Sequence, residues 1–291
     1  MTTSVIATNK MDSKSLVEKY PLPIFFLLVY GLTWPLMIVE VLASRSLLPF
    51  QPPMAILILQ AFMPGLAAVI VAGLTAGRAG IRALLGKLLI ARVGFRWYAF
   101  AIFGLAAVLL AAILLGNQFG VLPALPILST KMPPFSGPIG LLINVALLFI
   151  FSIIFNTEEL AWRGFALPRL QSKYNALTSS LILSIPWILF HLPLFFKLGS
   201  SQAESSFISY AIGLAGMTVL FTWMFNNTRG SVLLAYLLHA SMNTWTQIFS
   251  IDGANQTQSW MLTGLFVILA VIAVAISGAE NLSRTNPRIQ E

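Results

Sequence analysis

Residues 141–164 read LLINVALLFIFSIIFNTEELAWRG. From Leu141 to Phe155 the stretch is almost uninterruptedly apolar, and it then runs directly into Glu158, Glu159 and Arg163. An apolar run of this kind, lengthened by a few flanking residues, approaches the roughly 20 residues needed to cross a bilayer. Ionisable side chains at its end are expensive in lipid and mark function by default. The rest of the chain has the same character: 58% of its 291 residues are hydrophobic and 9% charged, with a mean hydropathy of +0.87. Such a chain is solvated mainly by lipid, and the expected fold class is an all-α, polytopic membrane helix bundle.

Working outward, apolar runs near the spanning length occur at about 22–44, 53–77, 97–116, 137–157, 177–196, 207–225, 231–249 and 259–277, which predicts about eight transmembrane helices. An even number places both termini on one side. With a cytoplasmic N-terminus, fourteen of the seventeen basic residues fall inside, and only Arg45, Lys131 and Lys197 fall outside. This is the positive-inside bias that orients membrane proteins. The expected location is an integral membrane protein of the plasma membrane with both termini cytoplasmic. The net charge of +8 is spread over short loops, a placement that orients the protein and argues against a nucleic-acid partner. The first span follows a polar, lysine-bearing start and reads as a signal anchor.

The chain reads as one membrane domain, 22–277, between cytoplasmic tails at 1–21 and 278–291, with its chemistry at about 145–250. In the loop from Arg78 to Arg96, Ile81, Leu84, Leu85, Leu88 and Leu89 recur at helical spacing between basic residues. That pattern describes an amphipathic helix on the cytoplasmic surface, or a basic linker that obeys the topology rule. The segment from Leu122 to Pro138 carries five prolines and is expected to be irregular.

The chemistry-bearing residues fall in three elements. On a helix continued through the acidic pair, Glu159 and Arg163 are four apart and face each other, while Glu158 is turned about 100° away. One carboxylate is then neutralised, and the other is left facing the bundle interior as a candidate general base. His191, one of only two histidines, follows Trp187 by one helical turn on the same face and exchanges protons near neutral pH. Pro186 bends the helix beside it. His239 and Asn243, again four apart, project two hydrogen-bond donors to one point, as an oxyanion hole requires. Ser241 lies between them in sequence but points well away from them on a helix.

Blander explanations exist for each element. A lone His or Asn in a membrane helix often serves only to hold helices together, and Glu158–Glu159–Arg163 could simply be a helix end. Glu40 is read in that way, as an outer-interface residue without function. Among active chemistries, the absence of cysteine removes thiol catalysis, and no H-E-x-x-H motif is present. His191, His239 and a glutamate would also suffice as metal ligands. A proton-relay transporter or a binding or bacteriocin-immunity protein could carry the same polar groups.

Together, Glu158-Glu159-x-x-x-Arg163-Gly164, Trp187-x-x-x-His191 and His239-x-x-x-Asn243 resemble, in order and separation, the three motifs of the CPBP family. These are the CAAX proteases and bacteriocin-processing enzymes also called the Abi family. Pro64-Gly65 in the second span is similar too. The resemblance implies a glutamate-type intramembrane endopeptidase without a cofactor, acting on membrane-associated proteins or peptides, some of them lipidated. It implies that Glu158 and His191 activate water, that His239 and Asn243 form the oxyanion hole, and that Glu159, Arg163 and Trp187 shape the site. Trp187 stands where the family typically has phenylalanine.

Overall fold

The computed structural model describes residues 15–118, 135, 137–249 and 256–291. The proline-rich segment expected to be irregular lies almost wholly outside them, as does most of the N-terminal tail. Every described element is helical, so the all-α expectation holds. The major helices are α1 (Pro21–Ser44) and α2 (Met54–Gly86), then α3 (Phe95–Gln118), which includes one π-helical turn, and α4 (Gly137–Ile154). A π-helical segment, Leu160–Ala166, leads into the short α5 (Leu167–Gln171). The chain closes with α6 (Ala176–Phe190), α7 (Phe207–Asn227), α8 (Val232–Ile248) and α9 (Gln256–Ser277).

A helix stands at each of the eight apolar stretches. Five of them, α1, α2, α3, α7 and α9, are long and apolar enough to cross a bilayer. The apolar α4 and α6 are shorter, and the 17-residue α8 is the helix that carries His239 and Asn243. Large apolar side chains such as Leu27 (71% exposed) and Ile139 (75%) project outward, where lipid rather than water must solvate them. The chain is an integral membrane helix bundle.

Three features of the packing position the site. First, α4 does not continue through the acidic pair as expected: it ends at Ile154, and Asn156 and Thr157 are non-helical. The reason lies in α2. Within a regular helix the Gly65 amide would bond to the Ala61 carbonyl, but next to Pro64 that link is opened. Thr157 occupies the gap, its Oγ1 accepting from Gly65 N (2.9 Å) and donating to the Ala61 carbonyl (2.8 Å). Gly65 has to be glycine here, because a Cβ would stand 2.6 Å from the Thr157 Cβ. The Asn156 side chain then accepts from Glu158 N (3.0 Å), restarting the helix with a local cap.

Second, α1 braces the proline-bearing α6, with Tyr30 donating to the Pro186 carbonyl (2.9 Å) and Trp34 to the Phe190 carbonyl (3.2 Å). Farther along α1, Glu40 is buried and paired with Lys197 at 2.6 Å, so its role is to tie α1 to the chain just after His191. Third, α7 and α9 approach closely through small residues, the usual basis of helix association in lipid. A Cβ on Gly216 would lie 2.9 Å from the Phe266 backbone.

The amphipathic 81–89 stretch is helical but continuous with α2, beyond a kink at Ala76–Gly77. Leu84 is buried and Leu89 exposed. Residues 278–291 pack against the helices. Leu282 is buried, Gln171 donates to the Ile289 carbonyl (2.9 Å), and Lys87 links the Gly164 carbonyl (2.6 Å) to Glu291 (2.8 Å).

Candidate active site

The π-helical segment Leu160–Ala166 is buried throughout, and π-turns of this kind recur at functional sites. The two carboxylates just ahead of it diverge. Glu159, fully buried, uses one oxygen, Oε1, to accept from Arg163 Nη1 (3.0 Å) and to meet His239 Nδ1 (2.8 Å). The Arg163 guanidinium lies 4.0 Å from the Trp187 ring centroid and 4.1 Å from that of Phe221. A carboxylate and two aromatic faces therefore compensate a fully buried cation. The expected i,i+4 pairing of Glu159 with Arg163 is present.

Glu158 is held differently. Its Oε2 accepts from Trp187 Nε1 (2.6 Å) and from Trp162 Nε1 (3.0 Å). Indole can only donate, so both rings fix the orientation of this carboxylate and leave Oε1 for whatever occupies the adjoining cavity. Trp187 thus does more than orient His191 or wall off lipid. Its indole reaches Glu158, and its carbonyl meets His191 Nδ1 at 2.8 Å. Because a carbonyl only accepts, Nδ1 carries the proton and His191 Nε2 presents a lone pair.

His239 and Asn243 share a face of α8, as their spacing requires. Asn243 Nδ2 donates to Ser152 Oγ (3.0 Å), while the His239 Nδ1 contact with Glu159 leaves its Nε2 for the cavity. Ser241 Oγ instead donates to the Ile102 carbonyl (3.0 Å), away from the site. Sequence reasoning missed Trp162 and Ser152 as partners. Trp162 was legible in principle, since it stands four residues after Glu158 on a helix.

Two cavities meet at these residues. One, of about 320 Å³, lies between α7, α8 and α9; Trp187, His191, His239 and Asn243 face it. The other, of about 420 Å³, lies toward α2 and α4, and Glu158, His191, His239 and Asn243 face it. The four residues singled out as catalytic candidates therefore open onto one shared space. Among the described residues, no three His, Asp or Glu side chains are grouped as a metal site.

Comparison with known proteins bears on this same region. Residues 134–245 match the family described as type II CAAX prenyl endopeptidase Rce1-like. The chain is also 32% identical over 174 residues to "CAAX prenyl protease 2" of Methanococcus maripaludis, a match covering 57% of this chain and 60% of that protein. All three motifs lie within residues 134–245, so the match agrees with the family resemblance that they carry.

Proposed function

We propose that this protein is an intramembrane endopeptidase that hydrolyses peptide bonds in membrane-associated substrates, including C-terminally lipidated, CAAX-like ones. The observation that carries this reading is the pairing, on one cavity wall, of an oriented carboxylate and an oriented neutral imidazole, both within the Rce1-like segment. Water between Glu158 Oε1 and His191 Nε2 has two acceptors for its protons, so attack on a carbonyl carbon and removal of a proton proceed together. The tetrahedral oxyanion is then stabilised by the Asn243 amide and by His239, which the buried Glu159 carboxylate holds in place through Nδ1. Return of the abstracted proton to the leaving amine completes the cleavage. Glu159, Arg163 and Trp187 position these groups. No cofactor takes part in this scheme.

The membrane domain at 22–277 holds the catalytic core at about 145–250, with the segments 1–21 and 278–291 cytoplasmic and the protein in the plasma membrane. The partners are the bilayer and a membrane protein or peptide; nucleic acid is not among them. The basic-residue partition supports this orientation.

The test is incubation of the purified protein in nanodiscs with a farnesylated peptide ending in a CAAX-like tetrapeptide, followed by mass spectrometry. Release of the intact C-terminal tripeptide supports the reading. An uncleaved farnesylated peptide, with the protein folded, counts against it. A parallel run with a chelator addresses the competing reading in which His191, His239 and a glutamate hold a metal ion: loss of cleavage on chelation favours the metal.

A further inference from the structure

Five side chains face both cavities: His191, His239, Asn243, Gln202 and Gln247. The first three belong to the motifs, and the last two have been given no role. Gln247 stands four residues after Asn243 and eight after His239, so it continues their polar stripe along one face of α8. Among the described residues none hydrogen-bonds its side chain. Gln202 comes from a different element, the short helix Ser201–Glu204 between α6 and α7. Its Oε1 accepts from Ser201 Oγ (3.3 Å) and its amide also meets the Tyr210 hydroxyl, which leaves one amide N–H to donate.

Both cavities have mixed polar and apolar linings. Leu214 and Phe266 stand beside Ser209 and Ser259 in the first, and Phe151 and Leu194 beside Ser152 and Glu158 in the second. A substrate occupying both must cross the ring formed by these five residues. A side-chain amide offers one acceptor and two donors, the complement of a peptide group. A helical substrate keeps its backbone N–H and C=O groups in its own ladder and has nothing to offer such partners. An extended strand of peptide has unpaired groups on both sides.

We propose that Gln202 and Gln247 form a main-chain clamp that grips an unwound, extended substrate segment where it crosses between the cavities, setting which peptide bond lies against Glu158. This rests on the endopeptidase reading, and it adds the conformation of the substrate and two positioning residues. The segments on the two sides of the scissile bond then occupy one cavity each.

The test measures binding separately from cleavage. The full chain with Glu158→Gln, in nanodiscs, is titrated with the fluorescent farnesylated peptide and with a matched probe whose backbone amide next to the scissile bond is replaced by an ester. The expected result is that adding Gln247→Leu or Gln202→Leu weakens the amide probe about five- to tenfold, as loss of one hydrogen bond does. The ester probe is weaker than the amide probe on the parent, but equal to it on at least one Leu variant. A merely structural glutamine would weaken both probes alike and leave the ester penalty intact, which overturns the clamp. So does equal binding by parent and variants, or no saturable binding at all. If the probe binds and shows this coupling but the wild-type chain never cleaves it, the clamp stands and the hydrolase reading falls.

Discussion

Replacing Trp187 with phenylalanine removes one hydrogen atom's worth of chemistry from the centre of the site while keeping an aromatic ring in place. In the structure the indole N–H donates to Glu158 Oε2 at 2.6 Å, the shorter of the two bonds that orient this carboxylate; the other, from Trp162, is 3.0 Å. Hydrogen bonds to a charged group contribute about 1.5–3 kcal/mol. If that energy holds Glu158 against the attacking water, its loss raises the barrier by the same amount. At about 1.4 kcal/mol per factor of ten, this corresponds to about a 10- to 150-fold fall in kcat. Because Trp162 still donates, the lower end of that range is expected. Phenylalanine keeps an aromatic face beneath Arg163, which lies 4.0 Å from the Trp187 centroid, and an edge toward Phe221. Thermal unfolding should therefore move little, and KM should stay within about twofold of wild type by the same hydrogen-bond scale. The assay is steady-state cleavage of a fluorogenic farnesylated peptide in nanodiscs, with unfolding followed in parallel. An unchanged kcat for Trp187→Phe in a well-folded protein would refute the argument that indole donors position the carboxylate.

Other substitutions test separate parts of the account. Glu159→Gln strips the buried Arg163 of its charged partner, and a broken buried pair costs about 3–5 kcal/mol; a large drop in unfolding temperature is expected, and an unaltered one would show that the aromatic faces alone hold Arg163. Gly65→Ala places a Cβ 2.6 Å from the Thr157 Cβ and should destabilise by about 1–3 kcal/mol while lowering cleavage; wild-type behaviour in both assays would mean that the break before Glu158 need not be held this way. Ser241→Ala, which removes only the hydroxyl bonded to the Ile102 carbonyl, should keep cleavage within about twofold, since loss of such a peripheral hydrogen bond changes stability by about 1 kcal/mol; complete loss of activity would revive a serine mechanism. The pH profile of kcat should fall in acid as His191 Nε2 takes up a proton and stops accepting one from water; a kcat that is the same at pH 5 and at about 9 would contradict that role.

The helices were legible because apolar length and periodicity report the bilayer directly, and the pairing of Glu159 with Arg163 and the shared face of His239 and Asn243 were legible because each pair is spaced by a helical turn; that Glu158 and His191 join them was implied only by the family resemblance. The break at Asn156–Thr157 was not read, although Asn and Thr ahead of a glutamate are residues that restart helices. Its cause, the opened backbone ladder at Pro64–Gly65, lies some ninety residues away along the chain and depends on which helix packs against which. The partners of Glu158 were half visible: Trp162 follows it by one turn, but the approach of the Trp187 indole from α6 depends on how α6 is braced by Tyr30 and Trp34. The packing of residues 278–291 against Gln171, Asn226 and Lys87 left no trace in hydropathy, because polar side chains meeting main-chain groups look the same as a solvated tail.

The central claim, that Glu158 activates water for peptide hydrolysis, is tested most directly by comparing wild type with Glu158→Gln on the farnesylated peptide in nanodiscs. The isosteric amide keeps an oxygen acceptor for the two indoles and cannot take a proton from water. The account predicts a folded protein that binds the peptide and cleaves it at least about a hundredfold more slowly, the size of a lost general base. Cleavage by Glu158→Gln at the wild-type rate would contradict it.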